Sequence, residues 1–290
     1  MISFPNARIN LGLHVTGKRS DGYHEIETLM LPVSMHDALE FIISPDGGTR
    51  LTTSGHHLPD DGQPNLCLQA YRYLDDALRK RQFAEARKMP EGLPPLHIHL
   101  HKGIPPGSGL AGGSADATFM LKMLNKAFDL GLSAEQLAKL AAKLGSDCPF
   151  FIYNKPMLAT GRGNILNITP AANLKKLNII IVVPPIHIST EKAYQKLSPK
   201  APSHTFAEIL QSPIDQCLDK LVNDFEKVIF EEYPQIEAVK TGLKTSGAVY
   251  ASLSGSGSAV YGLYIGTPPI KKIKQQFADC IVRASRFLYN

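Results

Sequence analysis

A glycine-rich string, P-P-G-S-G-L-A-G-G-S-A-D, occupies residues 105–116 and runs directly into an apolar, helix-like segment. Glycine allows backbone conformations closed to other residues and lets a ligand approach closely. The unpaired amides at the start of a following helix attract anions. We therefore expect a phosphate cradle here, with Ser108 and Ser114 offering hydroxyls to phosphate oxygens or magnesium, and Lys102 offering charge. The alternative is a glycine-rich turn that binds nothing.

Two well-known nucleotide motifs share features with this string, and both fail on context. Residues 107–112 match the G-x-G-x-x-G pattern of dinucleotide-binding proteins, which needs a strand directly before the first glycine and another after the helix. Here Lys-Gly-Ile-Pro-Pro separates the strand-like L-H-I-H-L-H from Gly107, and a turn into a second helix follows. A Walker-type loop needs Gly-Lys-Ser or Gly-Lys-Thr, and the sequence contains neither.

Hydrophobic periodicity predicts the elements that position this string. R-I-N-L-G-L-H-V-T, A-L-E-F-I-I-S and L-H-I-H-L-H read as strands because apolar and polar residues alternate. Amphipathic helices are predicted from Asn65 and from Ser133, where S-A-E-Q forms a capping box and Gly145 is a C-terminal stop.

The second half of the chain predicts an α+β sandwich. L-N-I-I-I-V-V-P-P, from Leu177, reads as a strand buried on both faces. A linker-like stretch at 198–204, helices around 205–232, the strand and turn of A-S-L-S-G-S-G-S-A-V-Y-G-L-Y and a final helix over Lys271–Leu288 follow. We place the domain boundary near 155–175, which gives domains of residues 1–160 and 161–290.

Length and composition fit a two-domain globular enzyme. The chain has 290 residues, of which 43% are hydrophobic and 20% charged. No window approaches the roughly 18 apolar residues of a membrane span, and the N-terminus does not resemble a secretory signal. We expect a cytoplasmic protein with no membrane partner.

Cysteines and basic residues exclude other kinds of site. The four cysteines are far apart and lack metal-ligand spacing, and we interpret Cys148, beside Asp147, as a packing residue rather than a nucleophile. The net charge of +5 suits an anionic substrate, but basic and acidic residues are interleaved. The nearest basic cluster, residues 79–81 with 87–88, lies on a predicted helix and connector, so we expect no nucleic-acid partner.

Three separated segments resemble the GHMP kinases, the family of galactokinase and of homoserine, mevalonate and phosphomevalonate kinases. F-P-N-A-R-I-N-L-G-L-H-V is similar to the first family motif, and the glycine string is similar to the ATP phosphate loop P-x-x-x-G-L-G-x-S-S-A. S-L-S-G-S-G-S-A-V, from Ser252, is similar to the third motif. Ala111 departs from the pattern, since glycine is more usual there, whereas Ala115 matches its final alanine.

The resemblance is closest to the branch that phosphorylates the 2-hydroxyl of diphosphocytidyl-methylerythritol in non-mevalonate isoprenoid synthesis. Its signature resembles T-G-K-R-S-D-G-Y-H-E-I-E-T-L, L-G-S-D-C-P-F-F, G-R-G-N-I-L and N-D-F-E, in that order within residues 5–261. This branch implies an α+β two-domain GHMP fold, with a first domain like domain 2 of ribosomal protein S5 and a ferredoxin-like second domain. It implies ATP and Mg²⁺ as cofactors, a small-molecule substrate, and a monomer or weak homodimer. The expected ATP-binding residues are Lys102, Pro105, Pro106, Gly107, Ser108, Gly109, Leu110, Ala111, Gly112, Gly113, Ser114 and Ala115.

Two residues are expected to be catalytic. Phosphoryl transfer needs positioned substrates, neutralised charge and an acceptor for the hydroxyl proton. The resemblance places the family's catalytic aspartate at Asp147, on a turn before Pro149. At Arg8 the family normally has lysine; arginine keeps the charge but cannot exchange protons, and we expect its role to be electrostatic.

The resemblance assigns Asn10, Tyr23, His24 and Thr190 to the acceptor site. Tyr23 offers an aromatic face to cytosine, Tyr194 could close the other face, and His24 offers a donor and an acceptor to the base edge. Residues 254–257 either line the site or only permit domain packing. Two alternatives stay open: another GHMP kinase acting on mevalonate or homoserine, and a catalytically silent metabolite-binding protein with the same fold.

Overall fold

The computed structural model describes residues 1–59, 62–83, 91–169, 174, 176–200, 202–209 and 217–288, so Arg87 and Lys88 of the basic cluster lie outside it. The strands are β1 (Ile2–Ser3), β2 (Asn6–Lys18), β3 (His24–His36), β4 (Ala38–Ile43), β5 (Arg50–Gly55), β6 (Leu96–Lys102), β7 (Met157–Thr160), β8 (Ile165–Ile168), β9 (Leu177–Val183), β10 (Tyr250–Leu253), β11 (Val260–Ile265) and β12 (Ile281–Ser285). The helices are α1 (Leu66–Arg79), α2 (Gly112–Ala127), α3 (Ala134–Ala141), α4 (Cys148–Tyr153), α5 (Thr190–Gln195), α6 (Phe206–Ile209), α7 (Phe225–Glu232), α8 (Pro234–Thr245) and α9 (Ile270–Gln276), with a 3₁₀ turn at Leu218–Lys220.

The first of two compact units contains residues 1–7, 36–106 and 111–154. Its sheet has the order β1-β4-β6-β5, with β5 parallel to β6 and the other neighbours antiparallel. The apolar faces of α1 and α2 join this sheet in one core, which includes Leu74, Ile98 and Leu124. The helix predicted from Asn65 is confirmed as α1, and the Asn65 side chain caps it by accepting from the Cys67 amide at 2.8 Å.

The second unit contains residues 8–35, 107–110 and 155–290 and holds two sheets, β2-β3-β7-β8 and β10-β11-β9-β12. The strand predicted from Leu177 is confirmed as β9, which is flanked by β11 and β12 and is almost entirely buried. β9 shares a core with α7, α8 and α9 that includes Ile180, Leu243 and Ile273. The two units together give the predicted α+β class.

Two predicted boundaries are wrong. The final helix over Lys271–Leu288 is instead the short α9 followed by β12, because residues 281–285 pair antiparallel with β9 and complete the edge of that sheet. The helix with the capping box at Ser133 is confirmed as α3, but it ends at Ala141, four residues before Gly145. The amides of Leu144 and Gly145 then close a turn on the Ala141 carbonyl, at 2.9 and 3.3 Å.

α2, with 16 residues, is the longest described helix. Within the described ranges, no helix combines the length and apolarity needed to cross a bilayer. The domain division at residue 160 stays a prediction.

Candidate active site

The polar positions of β2 alternate along the strand as predicted, yet they are buried. Arg8 is 6% exposed and Asn10 is 2% exposed, in a strand that is buried on both faces from Asn6 to Val15. Buried polar groups need hydrogen-bond partners. The hydrogen bonds of Arg8 and Asn10 therefore show which segments of the second unit this strand holds in place.

Arg8 holds the central part of the glycine string. Its Nη1 donates to the Gly109 carbonyl and to the Asn10 Oδ1, both at 2.7 Å, and its backbone amide donates to the Leu110 carbonyl at 3.0 Å. The Ser254 hydroxyl donates to the same Gly109 carbonyl at 2.9 Å. The sequence departure at position 8 thus contributes a guanidinium that orders residues 107–110.

Gly109 requires glycine for reasons internal to the protein. Its φ is +79°, and a Cβ atom would lie 2.2 Å from the Ser254 carbonyl oxygen and 2.8 Å from that of Gly257. The Ala259 amide also donates to the Ser108 carbonyl at 2.9 Å. The predicted phosphate loop is therefore packed against the turn of the third motif, residues 254–257, within one unit.

The N-terminus of α2 is arranged to receive an anion. No side chain caps the helix at Ala111, and its first turn contains no acidic residue. Uncapped first-turn amides and the helix dipole favour a negative ligand. Ala111 has φ of 56° and ψ of 31°, the left-handed conformation that glycine adopts with less strain than other residues.

Lys102 is buried in an ion cluster of the first unit and is 2% exposed. Its Nζ donates to Asp116 Oδ2 at 2.6 Å and to Asp37 Oδ2. Burial opposes its charge, but the two carboxylates outweigh burial and raise the pKa of Lys102. Its expected contact with ATP stays a prediction, since its ammonium already has two carboxylate acceptors.

The same cluster contacts the backbone just before the glycine string and the helix in which the string ends. Asp37 Oδ1 accepts from the backbone amides of Gly103 at 2.7 Å and Ile104 at 2.8 Å, while Asp116 lies in α2. Burial raises the pKa of Asp116 to about 8, and the neighbouring Asp37 carboxylate acts in the same direction. With one buried cation and two buried carboxyls in the cluster, we interpret Asp116 as the carboxyl that holds a proton near neutral pH.

Asp147 lies half-buried on the turn between α3 and α4. Its side chain makes no capping hydrogen bond to α4. The Thr118 hydroxyl anchors this turn by donating to the Cys148 carbonyl at 2.9 Å. Burial raises the pKa of the Cys148 thiol to about 11, so that thiol is no nucleophile near neutral pH.

The aromatic residues expected to bind cytosine contact other side chains in this structure. The His24 and Tyr194 rings stack directly, with centroids 4.8 Å apart and planes 19° from parallel, and Phe225 meets Tyr194 edge-on at 4.9 Å. Tyr23 is 57% exposed, and the Arg162 guanidinium covers its ring at 4.5 Å. One face of Tyr194 is therefore occupied by His24. Burial and the charge of Lys18 lower the pKa of His24.

The other two acceptor residues lie in polar networks of the second unit. Asn10 donates through Nδ2 to the Thr28 hydroxyl at 3.1 Å, and its carbonyl accepts from the Tyr261 hydroxyl at 2.8 Å. The Thr190 and Ser256 hydroxyls are 2.9 Å apart. Residue 256 of the third motif thus contacts an expected substrate residue.

Sequence reasoning gave no functional role to Asp37, Asp116 or Asn223, and Asp37 was expected to be structural only. Asp116 carried a signal, because it lies among alanines and methionines on the buried face of α2. Asn223, in N-D-F-E, donates through Nδ2 to the Leu253 and Gly255 carbonyls, both at 2.9 Å. It thereby holds the third-motif turn.

Known proteins match this chain over nearly its whole length. The profile "GHMP kinases N terminal domain" matches residues 65–155, and "GHMP kinases C terminal" matches residues 206–281. The 4-diphosphocytidyl-2-C-methyl-D-erythritol kinase of Bacteroides fragilis is 43% identical over 97% of this chain and 98% of its own. That of Porphyromonas gingivalis is 44% identical over 97% of both chains.

A solved structure agrees with these relatives. The crystal structure of a 4-(cytidine 5'-diphospho)-2C-methyl-D-erythritol kinase superposes with a TM-score of 0.77 and 26% identity, and the match covers 100% of both chains. With the motifs in family order and both profiles matched, the chain belongs to the GHMP kinases and, among them, to the 4-diphosphocytidyl-2-C-methyl-D-erythritol kinase family.

Proposed function

We propose that this kinase transfers the terminal phosphoryl group of ATP to the 2-hydroxyl of 4-diphosphocytidyl-2-C-methyl-D-erythritol. The observation that carries the proposal is the 43% identity, over 97% of the chain, to a relative with that acceptor in its name. A mevalonate or homoserine acceptor is not favoured, because the relatives that match at this identity carry the diphosphocytidyl name. The cytoplasmic location and the monomeric or weakly dimeric state stay predictions.

The residues of the glycine string fit a triphosphate. The uncapped start of α2 supports this assignment, as do the left-handed Ala111 and the small side chains of residues 112–115. ATP supplies the phosphoryl group when bound, and magnesium neutralises part of its charge. In our proposal the first-turn amides of α2 and the Ser114 hydroxyl bind phosphate oxygens and orient them.

Magnesium receives no full set of protein ligands in this proposal. Across the described ranges, no group of three His, Cys, Asp or Glu side chains is placed to hold a metal ion. Mg²⁺ commonly keeps several waters and binds through substrate phosphates with one or two protein oxygens. The chain therefore fits magnesium that arrives with the nucleotide.

Asp147 is proposed as the general base. Its half-buried position on a turn that Thr118 anchors, within the L-G-S-D-C-P-F-F segment, supports a chemical role. In this role its carboxylate accepts the proton of the acceptor hydroxyl.

Arg8 is proposed to act through its charge and through the order that it gives to the loop. The two 2.7 Å hydrogen bonds of its Nη1 support a positioning role. A guanidinium stays protonated at any working pH, so no proton passes through it.

The acceptor's cytidyl group is proposed to use Tyr23, His24 and Tyr194, and its polyol Asn10 and Thr190. The direct stack of His24 on Tyr194 implies that a cytosine contacting the covered face of Tyr194 must displace the His24 imidazole. His24, released from the stack, would then present its nitrogens to the base edge.

The decisive experiment is ADP production measured with the cytidyl substrate, mevalonate and homoserine in parallel. We expect turnover with the cytidyl substrate alone. Asp147→Asn should keep nucleotide binding and lose roughly 10²- to 10⁴-fold in turnover. Asp76→Asn, an exposed carboxylate on α1, is the control and should change neither. Cytidyl-substrate binding without ADP production by the natural protein would instead identify a metabolite-binding protein.

A further inference from the structure

A cavity of about 1100 Å³ lies within the second unit, apart from the expected substrate residues. Its described walls come from β2 at His14, from the chain after α5 at Lys196–Lys200, and from residues 220–232 leading into α7. The proposed reaction assigns no role to it, although its walls include His14 of the first motif and residues of the N-D-F-E segment.

Unpaired positive charge lines this cavity. Lys200, Lys220 and Lys227 have exposed side chains and make no ion pair with any residue the structure describes. Lys196, a fourth lysine of the lining, pairs with Glu232 at 2.6 Å.

Three of the four acidic residues of the lining have partners, while the fourth, Glu231, is exposed and makes no ion pair with any described residue. Glu226 accepts from the Ser252 hydroxyl at 2.8 Å and from Lys240, which lies outside the lining. Asp224 Oδ2 accepts from the Val15 amide at 2.7 Å. The open charges of the cavity are therefore three lysines and one glutamate, and this excess of positive charge suits a phosphorylated ligand better than a cation.

His14 adds a second, independent signal. It is 6% exposed, its Nδ1 lies 3.7 Å from Asp224 Oδ1, and its buried Nε2 has no hydrogen-bond partner among the described residues. A buried polar atom without a partner is rare in native proteins and calls for an explanation, such as a missing ligand or water. Leu197, Val222 and Val228 give the lining an apolar component. An organic phosphate ester matches this mixture.

The floor of the cavity is connected to the expected substrate residues. Asn223 lines the cavity and holds the Leu253 and Gly255 carbonyls, both at 2.9 Å. The next residue but one, Phe225, packs edge-on against Tyr194, which stacks on His24. A ligand that shifts residues 223–225 would move both the third-motif turn and the aromatic stack.

We propose that this cavity is a regulatory site for a small organic phosphate, whose binding changes the geometry of the Tyr194–His24 stack. The site lies within one unit, and its occupation does not depend on which acceptor the kinase phosphorylates.

Calorimetric titration with inorganic pyrophosphate tests the site. The full chain is first saturated with ADP, so that the phosphate cradle of the glycine string is filled. We expect the triple variant K200A/K220A/K227A to bind pyrophosphate at least tenfold more weakly than the natural protein. The matched control K271A/K272A/K274A removes three exposed lysines at α9 and should stay within twofold of it.

A second measurement tests whether a ligand in the cavity changes the Tyr194–His24 stack. The ring-proton NMR signal of His24, assigned with His24→Asn, should shift when pyrophosphate is added, because the adjacent Tyr194 ring changes position. The shift should be absent in the cavity variant and present in the α9 variant. Pyrophosphate affinity that is equal in the two triple variants, or absent from the ADP-saturated natural protein, would overturn the site. An unchanged His24 signal during saturable, lysine-dependent binding would overturn the coupling.

Discussion

Replacement of Lys102 by methionine isolates the buried ion cluster of the first unit. Methionine keeps most of the apolar stem and removes the ammonium, which leaves the carboxyl groups of Asp37 and Asp116 buried without their cation. All three side chains are at most 3% exposed. Breaking a buried ion pair by removing one partner costs about 3–5 kcal/mol.

The loss of unfolding free energy expected for Lys102→Met depends on pH. Asp116 has a pKa raised to about 8 by burial, so at pH 6 it can remain protonated and the loss should lie near the lower limit, about 3 kcal/mol. Above pH 8 the Asp116 carboxyl of the natural protein is ionised beside Lys102, so removal of the ammonium costs more and the loss should approach about 5 kcal/mol. At 2–4 °C per kcal/mol, Tm should fall by about 6–20 °C.

Urea unfolding of the full chain at pH 6 and pH 9 measures the loss of unfolding free energy, and thermal scans measure the fall in Tm. Lys143→Met, an exposed lysine of the same unit, is the control and should change the free energy of unfolding by less than about 0.5 kcal/mol. At pH 9 the double variant Lys102→Met/Asp116→Asn should recover part of the loss, because one buried charge is removed with its partner. A loss below about 1 kcal/mol, or a double variant no more stable than the single one at pH 9, would refute the proposed ion cluster.

Four further outcomes are expected. Gly109→Ala should lower the free energy of unfolding by several kcal/mol, because its Cβ would lie 2.2 Å from a carbonyl oxygen. In the same urea titrations the control Gly113→Ala, whose Cβ would have its nearest contact at 3.6 Å, should be neutral or stabilising by up to about 1 kcal/mol. Ala111→Gly should raise Tm, by relieving about 1 kcal/mol of left-handed strain at φ 56°. Arg8→Lys should leave ADP production within severalfold of the natural rate; a gain above tenfold would show that arginine hinders the reaction. For Asp116, a native pKa above the ordinary 3.8 means that the folded state holds the proton more tightly than the unfolded chain; its stabilisation is complete below about pH 4 and is lost as pH rises to about 8. Unfolding free energies across that range should therefore fall relative to Asp116→Asn, by at most about 1.4 kcal/mol per pH unit.

Local patterns predicted the elements whose structure is determined locally. The capping box at Ser133 and the β-branched run from Leu177 are such cases, because their signals lie within a few residues. The glycine string before α2 is another, since glycine and a helix start are neighbours in sequence. Family motifs then added expected roles that no local pattern contains.

Contacts between segments that are far apart in the chain could not be predicted from the sequence. Asp37 and Lys102 are 65 residues apart, and nothing in either neighbourhood announces their contact. His24 lies 170 residues before Tyr194. The sequence therefore could not show whether these two rings stack on each other or are both free to contact a cytosine. The final helix failed for the same reason, since β12 exists because β9 offers it an edge.

The alternation of segments between the two units has a consequence during synthesis. β2 and β3 leave the ribosome first, but β7 and β8, which complete their sheet, follow only after roughly 120 more residues. At bacterial elongation speeds of about 20 residues per second this is a delay of about 6 s, and slower translation lengthens it. Throughout that interval the apolar β2–β3 segment lacks its final neighbours while the first unit is being made. A fragment ending at Asn154 would keep this exposed sheet permanently, so we expect it to aggregate rather than to behave as an isolated domain.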